Sequence, residues 1–308
     1  MTLVPPALPP EIAVFERGWL SSNNILFTGP EGAALVDTGY SSHADQTVAL
    51  VRAALGDAPL ARILNTHLHS DHCGGNAALQ RAWPGVQTLI PPGQAQRVRQ
   101  WDPVALGYTP TGQDCPRFAC SGLLQPGSEV ALGGKSWQVH ATPGHDPHSV
   151  VLFEPQGRLL ISADALWESG FGVVFPELEG IDAFADVAAT LDLIERLSPA
   201  VVIPGHGAVF SEVPRALATA RKRLAGFVSD PRKHGLYAAK VLLKYKLLEW
   251  QLISLADLYA WAQATPHFNL MHARYFSEQT HAAWLQGLVD DLVRSGAARR
   301  QGEMLLNA

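Results

Sequence analysis

The chain has 308 residues, 47% of them hydrophobic and 17% charged, and a formal net charge of −5. That length predicts one main domain with a smaller appendage, and so much apolar material with so little charge excludes a disordered chain. No run of about 18 apolar residues occurs, and the opening MTLVPPALPPEIAVF lacks both the basic residues and the unbroken apolar stretch of a secretory signal, so the expectation is cytoplasmic residence without a membrane span.

In chain order, the first third reads as short strands joined by tight turns. Apolar runs at 25–27 and 33–36 flank Gly29-Pro30-Glu31-Gly32, a strand, turn, strand signal whose second strand ends at Asp37-Thr38-Gly39. Residues 44–55 (ADQTVALVRAAL) have apolar positions at helical spacing, and ARILNTH then predicts a short strand that delivers His67 at its end. Further strands are expected at 87–90, 136–141, 150–153 and 159–162. A helix capped by Asp182 should place Phe184, Val187, Leu191 and Ile194 on one face, with the strand AVVIPGHG directly after it.

Beyond Gly207 the pattern turns helical. Residues 242–250, 254–264 and 281–294 read as three helices, the last stopped by Gly296, and AARRQGEMLL reads as a small hairpin turning at Gln301-Gly302. Three helices and a hairpin are the parts of a winged helix, although a plain helical subdomain fits the pattern as well. The expected division is 1–210 for the catalytic domain and 211–308 for the C-terminal subdomain. From Arg215 onward there are 13 Lys+Arg against 7 Asp+Glu, and before it 10 against 21. A basic tail on an acidic body fits an anionic substrate, another subunit, nucleic acid or an ordinary solvated surface. The three cysteines, Cys73, Cys115 and Cys120, are too few for a disulfide framework and read as reduced, packed thiols.

The strongest chemical signal is Thr66-His67-Leu68-His69-Ser70-Asp71-His72-Cys73-Gly74-Gly75. Imidazole and carboxylate are ligands for zinc, iron and manganese, and four of them so close together cannot line one face of a regular helix or strand. They must wrap a metal from a turn, with Gly74 and Gly75 allowing close backbone approach. Three later segments each place one more such residue after a strand: Thr142-Pro143-Gly144-His145, Ser162-Ala163-Asp164 and Pro204-Gly205-His206-Gly207. Side chains on loops at one sheet edge can converge while the strands beneath hold them rigid.

With that ordered series the sequence resembles the metallo-β-lactamase superfamily of hydrolases over roughly residues 24–207, T-H-x-H-x-D-H-x-G-G being the most specific element. The resemblance implies an α/β fold, a four-layer αβ/βα sandwich with a mainly helical C-terminal subdomain. It assigns His67, His69 and His145 to one metal, Asp71, His72 and His206 to a second, Asp164 as the bridge, and Asp37 as a support behind the ligands. Asp71 and Asp164 would be the catalytic carboxylates, Asp71 orienting a hydroxide shared by the metals. His148 and Trp167 are candidate substrate contacts, and Phe171, Phe175 and Tyr40 candidate pocket residues. Two divalent ions per chain are implied, zinc first, with iron or manganese as alternatives.

Departures from the pattern narrow the activity. Asp164 stands where exported β-lactamases of this fold carry Cys, His69 where its diiron oxidoreductases carry Glu, and only 41 residues lead from Asp164 to His206, too few for the large inserted domain of its nucleases. The nearest resemblance is to glyoxalase II and related thioesterases and esterases. The expectation is hydrolysis of an ester or thioester of a small substrate, an anionic one included, with no membrane partner and oligomerisation open. The alternatives are a single-iron oxygenase resembling persulfide dioxygenase, and a phosphodiesterase or nuclease whose basic tail meets nucleic acid. Specificity is expected to reside in residues 94–125 and in the tail.

Overall fold

Short runs of continuous apolar residues form strands that are buried on both faces, as happens when a sheet is covered on each side. In the computed structural model, which describes residues 6–308, β1 (Ile12–Phe15), β2 (Asn24–Phe27) and β3 (Ala33–Val36) form an antiparallel ribbon. The strands β4 (Leu60–Leu64), β5 (Gln87–Ile90) and β6 (Gly122–Leu123) continue that sheet in parallel. A second sheet has the order β11-β10-β9-β8-β7, built from β7 (Glu129–Leu132), β8 (Lys135–Ala141), β9 (Val150–Glu154), β10 (Leu159–Ala163) and β11 (Val201–Pro204). Only β10 and β11 run parallel in it.

Side-chain alternation along each strand decides what packs where. In β2 and β3, Ile25, Phe27, Ala34 and Val36 point inward and meet Trp137, Val139, Leu152 and Ile161 of the second sheet. Their neighbours Leu26 and Leu35 point outward, towards Val51 and Leu79. Those two residues lie on α1 (Ala44–Leu55) and, past the short α2 (Ser70–Cys73), on α3 (Asn76–Ala82). Two short helices, α4 (Ala95–Gln100) and α5 (Tyr108–Thr111), follow within the long excursion to β6, and α6 (Phe175–Leu178) follows β10. The outer face of the second sheet is covered by α7 (Phe184–Leu197) and α8 (Val213–Ser229). The four layers are therefore helix, sheet, sheet, helix, as expected.

One local expectation needs correction. The face of α7 is as expected, with Phe184, Val187, Leu191 and Ile194 buried, but Asp182 does not cap it. Glu177 does: its Oε1 accepts from the backbone N–H groups of Ala183 (2.6 Å) and Phe184 (2.9 Å), reaching back from α6. A cap supplied from outside the flanking residues leaves no signature in the local sequence. Directly after the boundary expected at residue 210 comes α8. Ala216, Leu217, Ala220 and Leu224 of α8 share one cluster with α7, so α8 packs as part of the sandwich. We propose that the C-terminal unit begins at Pro231, where proline can start a helix but cannot continue the preceding one.

That unit comprises α9 (Pro231–Trp250), β12 (Leu252–Ser254), α10 (Leu255–Ala264), α11 (Pro266–Tyr275), α12 (His281–Arg294) and the hairpin β13 (Ala298–Gln301) with β14 (Met304–Asn307). Its sheet order β12-β14-β13 is that of a winged helix with one extra helix, α11. Ser254 and Thr280 cap α10 and α12 by accepting from Asp257 N and Ala283 N.

His234 fastens α9 to the sandwich. It is fully buried between Phe184 and Phe227, and its Nε2 accepts from Val174 N at 3.1 Å. Burial lowers its pKa to about 4. Unfolding returns the ring to an ordinary value near 6.5, so below that pH the unfolded chain binds the extra proton. The stability contribution is complete above pH 6.5 and is lost as the pH falls towards 4. By pH 5 the loss should be about 2 kcal/mol. In His234→Gln, which keeps an acceptor for Val174 N–H but does not titrate, denaturant unfolding across this range should show a pH dependence shallower by that amount. An unchanged slope would disprove the assignment.

Candidate metal centre

Each cluster lies where a strand ends at the same edge of the sandwich. His67 and His69 follow β4, Asp71 and His72 lie in α2, His145 follows β8, Asp164 follows β10 and His206 follows β11. The backbone at these strand ends is constrained: Asp37 and Ala163 hold left-handed conformations (φ +56° and +45°) that non-glycine residues adopt at a cost. The Ala163 carbonyl is fixed by Gly205 N at 2.8 Å, so the loop bearing His206 also sets the turn bearing Asp164. The Asn23 amide donates to Pro204 O (3.0 Å) and Gly207 O (2.7 Å), which pins the His206 loop from the residue just before β2.

Two groups of donor atoms result. His67, His69 and His145 form the first; Asp71, His72, Asp164 and His206 form the second, the donor atoms of each lying within 4.8 Å of one another. In the first, His67 Nε2 is 3.1 Å from His69 Nδ1, which is 2.8 Å from His145 Nε2, and the triangle closes at 3.3 Å. The far nitrogens are engaged elsewhere. His145 Nδ1 meets Val173 O at 2.5 Å, His67 Nδ1 meets Thr66 Oγ1 at 3.2 Å, and His69 Nε2 faces Asp146 Oδ2 at 3.7 Å. With the ring protons on those far nitrogens, the three nitrogens that face each other present lone pairs. Three converging lone pairs repel unless a cation lies between them, and tetrahedral zinc with bonds of about 2.0–2.1 Å would separate its nitrogens by about 3.3 Å. The donor set thus fits a divalent ion.

The second group fits one too. Asp164 turns Oδ2 to His145 Nε2 (3.3 Å) and Oδ1 to His72 Nε2 (3.3 Å) and His206 Nε2 (3.9 Å), so one carboxylate faces both groups. Asp71 Oδ2 lies 3.1 Å from His206 Nε2 and 3.8 Å from His72 Nε2. Asp37 stands behind: Oδ2 takes the His72 Nδ1 proton at 2.7 Å and that of Thr66 Oγ1 at 2.8 Å, while Oδ1 accepts from Thr66 N. This fixes the tautomer of His72 with Nε2 facing inward, where it is buried and without a hydrogen-bond partner among the described residues.

The charges follow this geometry. Burial, then repulsion from neighbouring imidazoles, holds His67 far below its ordinary pKa and His69 at about 4, so both are neutral at pH 7 as ligands must be. Burial also opposes charge on His72, but Asp164, Asp37 and Asp71 outweigh it and push its pKa well up. The surrounding imidazoles likewise outweigh burial at Asp71 and Asp164, and both stay ionised.

The remaining candidates divide. Trp167 lines the pocket over the centre, and its Nε1 donates to Asp164 Oδ1 at 3.2 Å. His148 lies exposed at the mouth, and Phe175 lines the wall. Phe171 and Tyr40 do not reach the pocket: Phe171 is in the core under α8, and the Tyr40 hydroxyl accepts from Asp114 N. Cys73 is a packed thiol against Tyr108 and Cys115. The pocket, about 290 Å³, also draws on residues that sequence reasoning missed. Trp19, 56% exposed, stacks on His206 at 5.4 Å, while Tyr237, Tyr245 and His267 arrive from the C-terminal unit. Only fold topology brings these near the ligands. The excursion between β5 and β6 adds Leu106, Tyr108 and Thr111, so both regions expected to set specificity border the site.

Residues 17–206 match the family model described as the metallo-beta-lactamase superfamily. A hydroxyacylglutathione hydrolase of Anaeromyxobacter dehalogenans is 35% identical over 221 residues, which are 69% of this chain and 74% of that protein. A type A flavoprotein of Rhodobacter capsulatus is 29% identical over 213 residues, 64% of this chain but only 46% of the flavoprotein. Among solved structures, a beta-lactamase domain protein from Burkholderia ambifaria superposes with a TM-score of 0.61 at 20% identity, over 99% of this chain and 94% of its own. A metallo-beta-lactamase family protein from Thermus thermophilus gives 0.59 at 20%, over 98% and 100%. Among the described residues, no helix is long and apolar enough to cross a membrane.

Proposed function

The chain belongs to the metallo-β-lactamase superfamily of metal-dependent hydrolases, and from that premise we propose that it hydrolyses an ester or thioester of a small substrate at a two-metal site. The observation that carries this reading is the Asp164 carboxylate, with one oxygen towards each of two donor groups. His67, His69 and His145 would hold one ion, and Asp71, His72 and His206 the other, zinc first, with iron or manganese as alternatives. Bound there, divalent ions lower the pKa of water towards about 7 and polarise the substrate carbonyl.

The chain's own groups do the rest. Asp71, the more exposed of the two carboxylates, faces the pocket and can orient the attacking water and accept its proton at Oδ2. The Trp167 indole N–H, donating to Asp164 Oδ1, keeps that carboxylate turned between the two groups. Trp19 and Trp167 screen His206 from solvent on two sides. An ester or thioester suits this arrangement because its leaving group departs without strong acid assistance. The relative named hydroxyacylglutathione hydrolase supports a thioester. The oxygenase alternative needs only the first donor group, whereas the second is equally formed. For nucleic acid, α12 offers Ala282, Ala283, Gly287, Asp290 and Arg294 outward, Arg294 being paired with Asp291, and the hairpin strand β13 adds the exposed Arg299 and Arg300.

The test uses protein purified without chelator. It should contain about two metal ions per chain and hydrolyse short-chain thioesters or aryl esters. Dialysis against a strong chelator should abolish hydrolysis, and zinc, manganese or iron should restore it. Hydrolysis that survives complete metal removal would refute the reading, and a single iron with oxygen consumption would replace it by the oxygenase.

A further inference from the structure

The basic C-terminal unit does not present its cations to the pocket. Lys240 pairs with Asp291, Lys246 with Glu249 and Arg232 with Glu278, while Lys244 donates to Ala297 O and Asn307. Arg223 lies over the Tyr237 ring and donates to Phe171 O. What the unit does present is apolar or uncharged: Tyr237, Val241, Leu242 and Tyr245 from α9, and His267 from α11. Among the described residues lining the pocket there is no Lys or Arg, and the charged groups beyond the donor clusters are Asp146, Glu179 and Asp186. Against the α9 and α11 wall, away from the donor groups and the ions they would hold, a substrate carboxylate would lose hydration and meet the like charge of Glu179.

His267 is the exception in this wall. It is 2% exposed, and neither ring nitrogen has a hydrogen-bond partner among the described residues. Its Nε2 lies 3.4 Å from Glu179 Oε1, an ion-pair distance at which His267 holds that carboxyl below its ordinary pKa, so Nδ1 is the nitrogen left fully open. Buried polar groups are ordinarily satisfied, and one left open at a pocket wall marks where a ligand supplies the partner. The ring stands edge-to-face with Phe175 at 5.9 Å, and Phe175 in turn contacts His69 at 4.8 Å and His145 at 5.8 Å. A substrate whose reacting carbonyl sits at the donor groups would cross Phe175 and reach His267.

We propose that the pocket selects substrates whose portion against α9 and α11 is uncharged and mainly apolar with one hydrogen-bonding group, and that His267 is the contact for that group. This rests on the hydrolase reading and departs from it on one point: an anionic carrier such as glutathione is the wrong partner for this wall. His267 is a specificity residue that touches substrate away from the reacting atoms.

Calorimetric binding of two non-hydrolysable thioethers to protein purified without chelator tests this. They are S-hexylglutathione and the S-hexyl thioether of N-acetylcysteamine, which share the hexyl chain and differ in charge. The neutral compound should bind at least about ten-fold more tightly, and His267→Leu should weaken it about five- to ten-fold, the range of one lost hydrogen bond. His267→Gln, which keeps a donor and an acceptor, should bind within about three-fold of the parent. Equal or tighter binding of S-hexylglutathione would overturn the proposed substrate class. Parental binding by a folded His267→Leu protein would overturn the role of His267. If the preference holds but neither hexanoyl thioester is hydrolysed, the pocket assignment stands and the hydrolase reading falls.

Discussion

In Asp164→Ala the metal content should fall from about two ions per chain towards one or none, and hydrolysis should drop on the order of 10³-fold or more. The reasoning is geometric. Asp164 is the residue whose two oxygens address both donor groups, Oδ2 at 3.3 Å from His145 Nε2 and Oδ1 at 3.3 Å from His72 Nε2. Removing it leaves the first group its three imidazoles but leaves the second with Asp71, His72 and His206. It also removes a negative charge that would compensate for the ions the two groups hold. Loss of a single interaction worth about 4 kcal/mol to the transition state corresponds to a rate factor of about 10³. Asp164→Asn separates charge from shape, because it keeps a donor oxygen and loses the charge, and it should retain more metal than the alanine variant. Elemental analysis with turnover on the same preparations decides the matter. Two tightly held metals in the alanine protein would show that Asp164 does not bridge.

The donor residues were legible in the sequence because their chemistry is local. A compressed His/Asp run cannot be explained by any strand or helix face, and each later ligand announces itself as a lone His or Asp at the end of an apolar strand, beside glycine or alanine. The layers were legible for a related reason: runs such as Ala33–Val36 are apolar at every position, which only a sheet covered on both faces requires. The pocket wall was not legible. His267 sits in α11, whose periodicity is interrupted by polar residues, and it acquires meaning only because α11 returns to lie beside Phe175. Trp19 lies in an irregular stretch after β1, and its ring finds His206 across most of the chain. The basic tail was misleading in isolation. Lys240, Lys246 and Arg232 pair with acids inside the C-terminal unit, and no Lys or Arg lines the pocket, an arrangement set by tertiary packing that a count of charges cannot reveal.

Gly205→Ala should be nearly as damaging as loss of a ligand, although it alters no ligand and adds one methyl group. A Cβ at Gly205 would stand 2.3 Å from Asp164 Oδ1 and 3.0 Å from both the Ala163 carbonyl carbon and His72 Cε1. None of these can yield cheaply. Ala163 already holds a left-handed conformation, His72 is clamped by Asp37, and the Asp164 carboxylate sits between both donor groups. Two backbone bonds fix Gly205 itself, its N donating to Ala163 O at 2.8 Å and its carbonyl accepting from Asn23 N at 2.7 Å, so the loop cannot simply swing away. The methyl group must therefore displace Asp164 or His72, and the second ion should be lost, with hydrolysis falling by about 10²-fold or more, the scale expected when ligand orientation is disturbed. Gly207→Ala is the control. It lies two residues on in the same loop at φ +86° with nothing within 4 Å of its added Cβ, so it should cost about 1 kcal/mol of backbone strain and leave the metal content unchanged. If both variants keep their metals, the close packing of Gly205 against the bridge is not what fixes the carboxylate. If both lose them, the loop as a whole is responsible rather than the single contact.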